Sequence, residues 1–123
     1  MSFAYRSGTV KWIDGEDYKV QSKVVNEDGS TLTVTVADGK YAVVLGFVGS
    51  IENAGSLTFA EAGSPSTAIS GVIAAYVGGV SVSMPFCEHG WCWTSTAGAD
   101  LELTAVAAVG GILLWMEVDE IPA

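Results

Sequence analysis

One histidine, two cysteines and a pair of neighbouring tryptophans carry most of the chemistry that this 123-residue sequence could perform. They sit together in Pro85-Phe-Cys-Glu-His-Gly-Trp-Cys-Trp93. A Ser-His-Asp or Cys-His nucleophile would have to use His89 as its base, because there is no other imidazole. No Gly-x-Ser-x-Gly elbow, His-Glu-x-x-His pair or Gly-x-x-x-x-Gly-Lys-Ser/Thr loop occurs anywhere in the chain. Small β domains that lack such motifs work mostly by binding, so no catalytic residue is expected and the chain is not expected to be an enzyme.

Cys87, His89 and Cys92 allow three readings. They could be three ligands of a zinc site. The two cysteines could close a short disulfide loop, with Gly90 easing the turn. They could also stay reduced and pack as small apolar side chains, as a cytosolic compartment favours. No cofactor is expected. Trp91 and Trp93, beside Phe86, offer indole faces on which a sugar ring could stack. Aromatics next to a loop also plug the end of a β-sandwich or form a subunit interface. Trp115 lies in the apolar run Ile112–Met116 and is expected in a core or an interface.

Charge narrows the partners. The formal net charge is −9, from five basic and 14 acidic side chains. Every Lys and Arg lies in the first forty positions (Arg6, Lys11, Lys19, Lys23 and Lys40), where six acids accompany them. The other 83 residues hold eight acids and no Lys or Arg. Nucleic-acid binding needs cations to displace counterions from phosphates, and most of this chain cannot supply them. Arg6, Lys11, Lys19 and Lys23 are instead candidates for docking on an acidic protein surface. The longest near-apolar run, Ala105 to Met116, is twelve residues long and interrupted by Gly110 and Gly111. A spanning helix needs roughly 20 residues, so no membrane span is expected. The first residues lack the apolar core of a signal peptide, which points to synthesis in a cytoplasm.

The local pattern is β almost throughout. Thr31-Leu-Thr-Val-Thr-Val36 alternates strictly, with Leu32, Val34 and Val36 on one face. Residues 18–25 alternate more loosely, and Asp28-Gly29 between the two runs is a hairpin signal. Asp38-Gly39 precedes Tyr41–Val48, which is apolar on both faces and belongs in the middle of a packed sheet. Further strands are expected over 56–60, 68–74, 80–84, 91–94, 100–109 and 112–118, with Gly78-Gly79, Ala97-Gly98 and Gly110-Gly111 among the breaks. Short strands at this spacing indicate a sandwich or barrel. Half the residues are apolar and only 15% are charged, so some apolar surface is expected to be covered by other subunits. Composition shifts near residue 40. Residues 1–40 read either as an arm and hairpin or as the first strands of the domain at 41–123.

From Tyr41 onward an ordered series of motifs resembles a module of phage virion proteins. The series runs from Val43-Val-Leu-Gly-Phe-Val48 through Gly55-Ser-Leu-Thr-Phe59 to the small-residue loop at Ser64-Pro-Ser-Thr67. Gly78–Phe86 (Gly-Gly-Val-x-Val-x-Met-Pro-Phe), Gly90-Trp91 and Thr94-Ser-Thr-Ala-Gly-Ala-Asp-Leu-Glu-Leu103 follow, and Trp115-Met-Glu-Val118 closes it. Cys87, His89 and Cys92 depart from the pattern, and the first forty residues lie outside it. The resemblance implies a jelly-roll-like antiparallel β-sandwich of about eight strands. It further implies a capsid decoration (cement) protein on the outside of a phage head, bound to the major capsid protein and self-associated as a homotrimer. The apolar strands near Val43–Val48 and Ile112–Met116 are the expected oligomer contacts, with Val44, Phe47, Leu114 and Trp115 as the candidate residues. A receptor- or glycan-binding module of a fibre or tail, using Trp91 and Trp93, is the alternative.

Overall fold

The computed structural model describes residues 8–75 and 78–122. Among them there are twelve strands and no helix. β1 (Thr9–Lys11) and β2 (Asp17–Lys19) form a hairpin of their own. The first large sheet runs β3 (Gln21–Asp28), β12 (Ala108–Val118), β5 (Tyr41–Ile51). The far edge of β5 pairs with β9 (Val80–Met84) along Phe47–Ile51 and with β10 (Cys92–Trp93) along Val43 and Val44. The second sheet runs β4 (Thr31–Val34), β11 (Leu101–Val106), β6 (Ser56–Glu61). Two short strands, β7 (Thr67–Ala68) and β8 (Ile73–Ala74), share the far edge of β6.

β7 with β8, and β9 with β10, are each one edge strand interrupted by a loop. Counted so, eight strand positions remain apart from the hairpin. The first pairs with the eighth (β3 with β12), the second with the seventh (β4 with β11), the third with the sixth, and the fourth with the fifth. A long hairpin rolled into two sheets gives this order, which is that of a jelly roll. The expected fold class therefore holds, with more strand segments than eight. The division at residue 40 does not hold. β3 and β4 occupy the first two positions and edge both sheets, so the sandwich begins at Gln21.

Two cores explain why Tyr41–Val48 is apolar on both faces. Val44, Phe47, Ile51, Leu57, Phe59, Leu101, Leu103 and Leu113 fill the space between the sheets. Val43, Leu45, Met116 and Val118 project from the other side of the first sheet and meet Val10 and Trp12 of the hairpin. The pairing of β5 with β12 slips between Leu114 and Trp115, leaving Leu45 as an extra residue. This bulge keeps Leu45 on the hairpin side while Phe47 turns into the sandwich.

The glycines at 110 and 111 do not break the chain as expected. Both lie within β12, and the reversal comes earlier, at Ala107, with φ +60°. Their role is close approach. A Cβ on Gly111 would strike the Val48 carbonyl oxygen, and one on Gly49 would strike the Gly110 carbonyl oxygen. These two residues face each other across β5 and β12, where the backbones leave no room for a side chain.

A buried carboxylate fixes one end of the sandwich. Glu61 accepts hydrogen bonds from the Ser95 N–H (2.6 Å), the Thr96 N–H (2.8 Å) and the Thr96 hydroxyl (2.8 Å). Burial alone would raise its pKa, but the bonds from Thr96 and Ser95 outweigh that and hold it below the usual carboxylate value. The clamp holds the segment between β10 and β11 in place.

Two outcomes follow for stability. Gly49→Ala should cost on the order of 3 kcal/mol, because the collision is with backbone, and lower Tm by roughly 10 °C in a thermal melt. Glu61→Gln should cost about 2 kcal/mol at pH 7, since the amide presents an N–H where an acceptor is needed. A carboxylate with a depressed folded pKa stabilises above its unfolded pKa, and that stability is lost as pH falls through the folded value. Urea titrations at pH 7 and pH 3.5 should therefore show a smaller difference for Glu61→Gln than for the parent chain.

Candidate interaction surfaces

The end of the molecule that carries the hairpin gathers the aromatic and titratable side chains. Alternation in β1 and β2 turns Val10 and Tyr18 inward and leaves Lys11, Asp17 and Lys19 exposed. Trp12, just past β1, is buried; its indole N–H donates to the Glu120 carbonyl at 2.6 Å, and its ring meets Trp93 edge-on at 6.2 Å and 72°. The Tyr18 hydroxyl donates to Asp14 Oδ2 at 2.6 Å and lies 3.1 Å from Asp119 Oδ2, beyond the end of β12. Lys40 Nζ pairs with the other Asp119 oxygen. Burial and the bond to Asp14 raise the Tyr18 pKa, while the Lys40 and Tyr18 bonds lower that of Asp119. These contacts lock the hairpin onto the sheet.

The loop 85–91 closes over this cluster. Gly90, at φ +78°, turns the chain against Trp12 and Trp93. Beside it a cleft of about 420 Å³ is lined by Lys11, Trp12, Ile13, Glu88, His89 and Pro122. His89 has no hydrogen-bond partner among the described residues, so nothing orients its imidazole as a general base. Cys92 is set apart from the other two candidate metal ligands. Cys92 turns into the sandwich core beside Val44, whereas Cys87 lines a surface cleft with Glu88 and His89. No group of three His, Cys, Asp or Glu side chains among the described residues could hold a metal ion. Both cysteines are free thiols.

The two tryptophans are not a pair of free stacking platforms. Trp93 is half-buried against Trp12, while Trp91 is 48% exposed and held by its indole N–H to the Pro85 carbonyl at 2.9 Å. The expected oligomer contacts need a larger correction. Val44 and Phe47 are fully buried, Trp115 is buried among the same residues, and Leu114 packs under the hairpin. Val43, Leu45, Leu113 and Met116 of the same apolar runs fill the chain's own two cores, so Val44, Phe47 and Trp115 offer no surface to another copy, whereas Val48 and Ile112 of those runs stay exposed. Of the candidate docking cations, Lys19 and Lys23 are exposed and have no acidic partner among the described residues. Lys11 lies 3.6 Å from Asp17, and Arg6 lies outside the described residues.

One surface takes in two residues of the runs expected to make oligomer contacts, Val48 and Ile112, and joins them to Val24. On the first sheet, past the end of the hairpin, Val24, Ile112 and Val48 stand side by side across β3, β12 and β5 and are 69%, 43% and 60% exposed. Only the register unites these residues, which are far apart in the chain. Comparison with protein-family models and with curated proteins returns no match. The strand order defines the class, a jelly-roll sandwich with an added hairpin.

The cysteines give a direct check. Burial pushes the Cys92 thiol up to about 12. Ellman's reagent should titrate one thiol per native chain at pH 8 and two after unfolding, and Cys87→Ser should remove the native signal.

Proposed function

We propose that this chain is a structural module of a phage particle, a decoration protein that binds the outside of the head and acts through contact area rather than catalysis. The observation that carries the reading is the jelly-roll strand pairing, which is the fold implied by the motif series from Val43 to Val118. One further feature agrees with it: an acidic body keeps finished particles from adhering to one another.

Attachment to an acidic shell would use Lys19 and Lys23, which flank the join between hairpin and sandwich. Removing residues 1–15 is a poor test, because Val10 and Trp12 belong to the second core. Charge reversal at exposed positions leaves that core intact. The double variant Lys19→Glu, Lys23→Glu should keep the parent Tm within about 2 °C. In co-sedimentation with capsids that lack this protein, it should bind at least about tenfold more weakly at low salt. Unchanged occupancy of the capsid by this variant would contradict the docking site. No occupancy by the parent chain would contradict the function. Glycan binding by the parent chain that Trp91→Ala abolishes would favour the fibre or tail alternative, since Trp91 keeps an exposed indole.

A further inference from the structure

The exposed part of the first sheet has relief as well as apolar character. One row across four strands is Val24, Ile112, Val48 and Ser83. The next, two residues along each strand, is Asn26, Gly110, Ser50 and Ser81. The first row is a ridge, with three β-branched side chains standing into solvent. The second is a groove, because Gly110 carries no side chain and its neighbours are short. A cleft of about 740 Å³ opens there and includes Asn26, Ser50, Ser81 and Gly110 in its walls. Ridge and groove lie roughly 7 Å apart, the rise of two strand residues.

We infer that this face binds a second copy of the same chain, with the ridge of each copy seated in the groove of the other. A two-fold axis parallel to the rows and midway between them places Val24, Ile112 and Val48 over the partner's Asn26, Gly110 and Ser50. Such an isologous contact needs a self-complementary patch, and adjacent ridge and groove provide one. Charge argues for the same occupant. Neither row contains an ionisable side chain, although the chain carries −9 overall. The one ionisable side chain in the cleft wall, Glu52, lies beyond the second row and accepts a hydrogen bond from the Ala108 N–H. Two like-charged copies would repel least across this face. The free region is only about 15 Å wide, four strands at their usual spacing. Its area falls below the ~800 Å² per partner of a standard interface, which places the dimer among weak, transient contacts.

Sedimentation velocity from 10 µM to 1 mM tests this independently of any virion role. The parent chain should pass reversibly from monomer to dimer. Raising salt from 50 to 500 mM should strengthen the dimer, by screening the repulsion between copies. Val24→Asp on the ridge and Ser50→Glu in the groove should each raise Kd at least about tenfold, because each buries an unpaired carboxylate. Both positions are exposed in the monomer, so the monomer's Tm should be unchanged. Val106→Asp, on the outer face of the second sheet, should leave Kd unaltered. A parent chain that stays monomeric at 1 mM, one that forms trimers, or a dimer indifferent to both row substitutions would overturn the inference.

Discussion

β5 and β12 pair over most of their eleven-residue lengths, and at one end both strands are apolar on both faces. A sheet built this way must be covered twice. The second sheet covers one face through Phe59, Leu101 and Leu103, and the hairpin covers the other through Val10 and Trp12. Apolar burial of this kind is the dominant favourable term in folding, and here it dictates the auxiliary parts. Strand alternation sends Val43 and Val44 to opposite cores, and the bulge at Leu45 resets it so that Leu45 and Phe47, two apart, also face different cores. Gly49 and Gly111 let the two backbones close up beyond it. The contacts joining Asp14, Tyr18, Asp119 and Lys40 hold the second layer in place.

The covering stops partway along the sheet. Where β1 and β2 end, β3, β12 and β5 continue with Val24, Ile112 and Val48 in solvent. Most acids lie in turns and at strand ends, as Asp14, Asp28, Asp38, Glu52, Glu88 and Asp119 do. The first sheet thus has one end closed by its own chain and one end open and uncharged in its two outer rows. Closure makes the hairpin part of the fold, and the open end is what a second molecule can reach.

Much of this was legible in the residues. Strict alternation in Thr31–Val36 and the two-sided apolar run at Tyr41–Val48 placed β4 and β5, because periodicity reports burial directly. Gly110-Gly111 misled, since a glycine required for close approach looks the same in sequence as one required for a turn. Ala107 reverses the chain at φ +60° without a turn residue to announce it. The hairpin at 9–19 went unread because three-residue strands carry little periodic signal. Among site residues, the exposed lysines and Trp91 could be seen in advance. Val44, Phe47 and Trp115 resemble interface residues in sequence because apolar excess suggests partners; they lie in the core between the sheets, and a second core under the hairpin takes up Val43, Leu45 and Met116. The Val24, Ile112, Val48 row depends on register across three strands, which no local pattern reveals.

The central claim is that residues 8–20 form an integral second layer, so that the first sheet is buried on both faces at one end. Amide hydrogen exchange tests it most directly. The N–H of Val20, bonded to the Gly8 carbonyl at 2.8 Å, and that of Trp12, bonded to the Glu16 carbonyl at 3.0 Å, should be protected at least about a hundredfold over an unfolded chain. Leu45, under the hairpin, should exchange as slowly as Phe59 between the sheets. Random-coil exchange at Trp12 and Val20, with Phe59 still protected, would contradict the account.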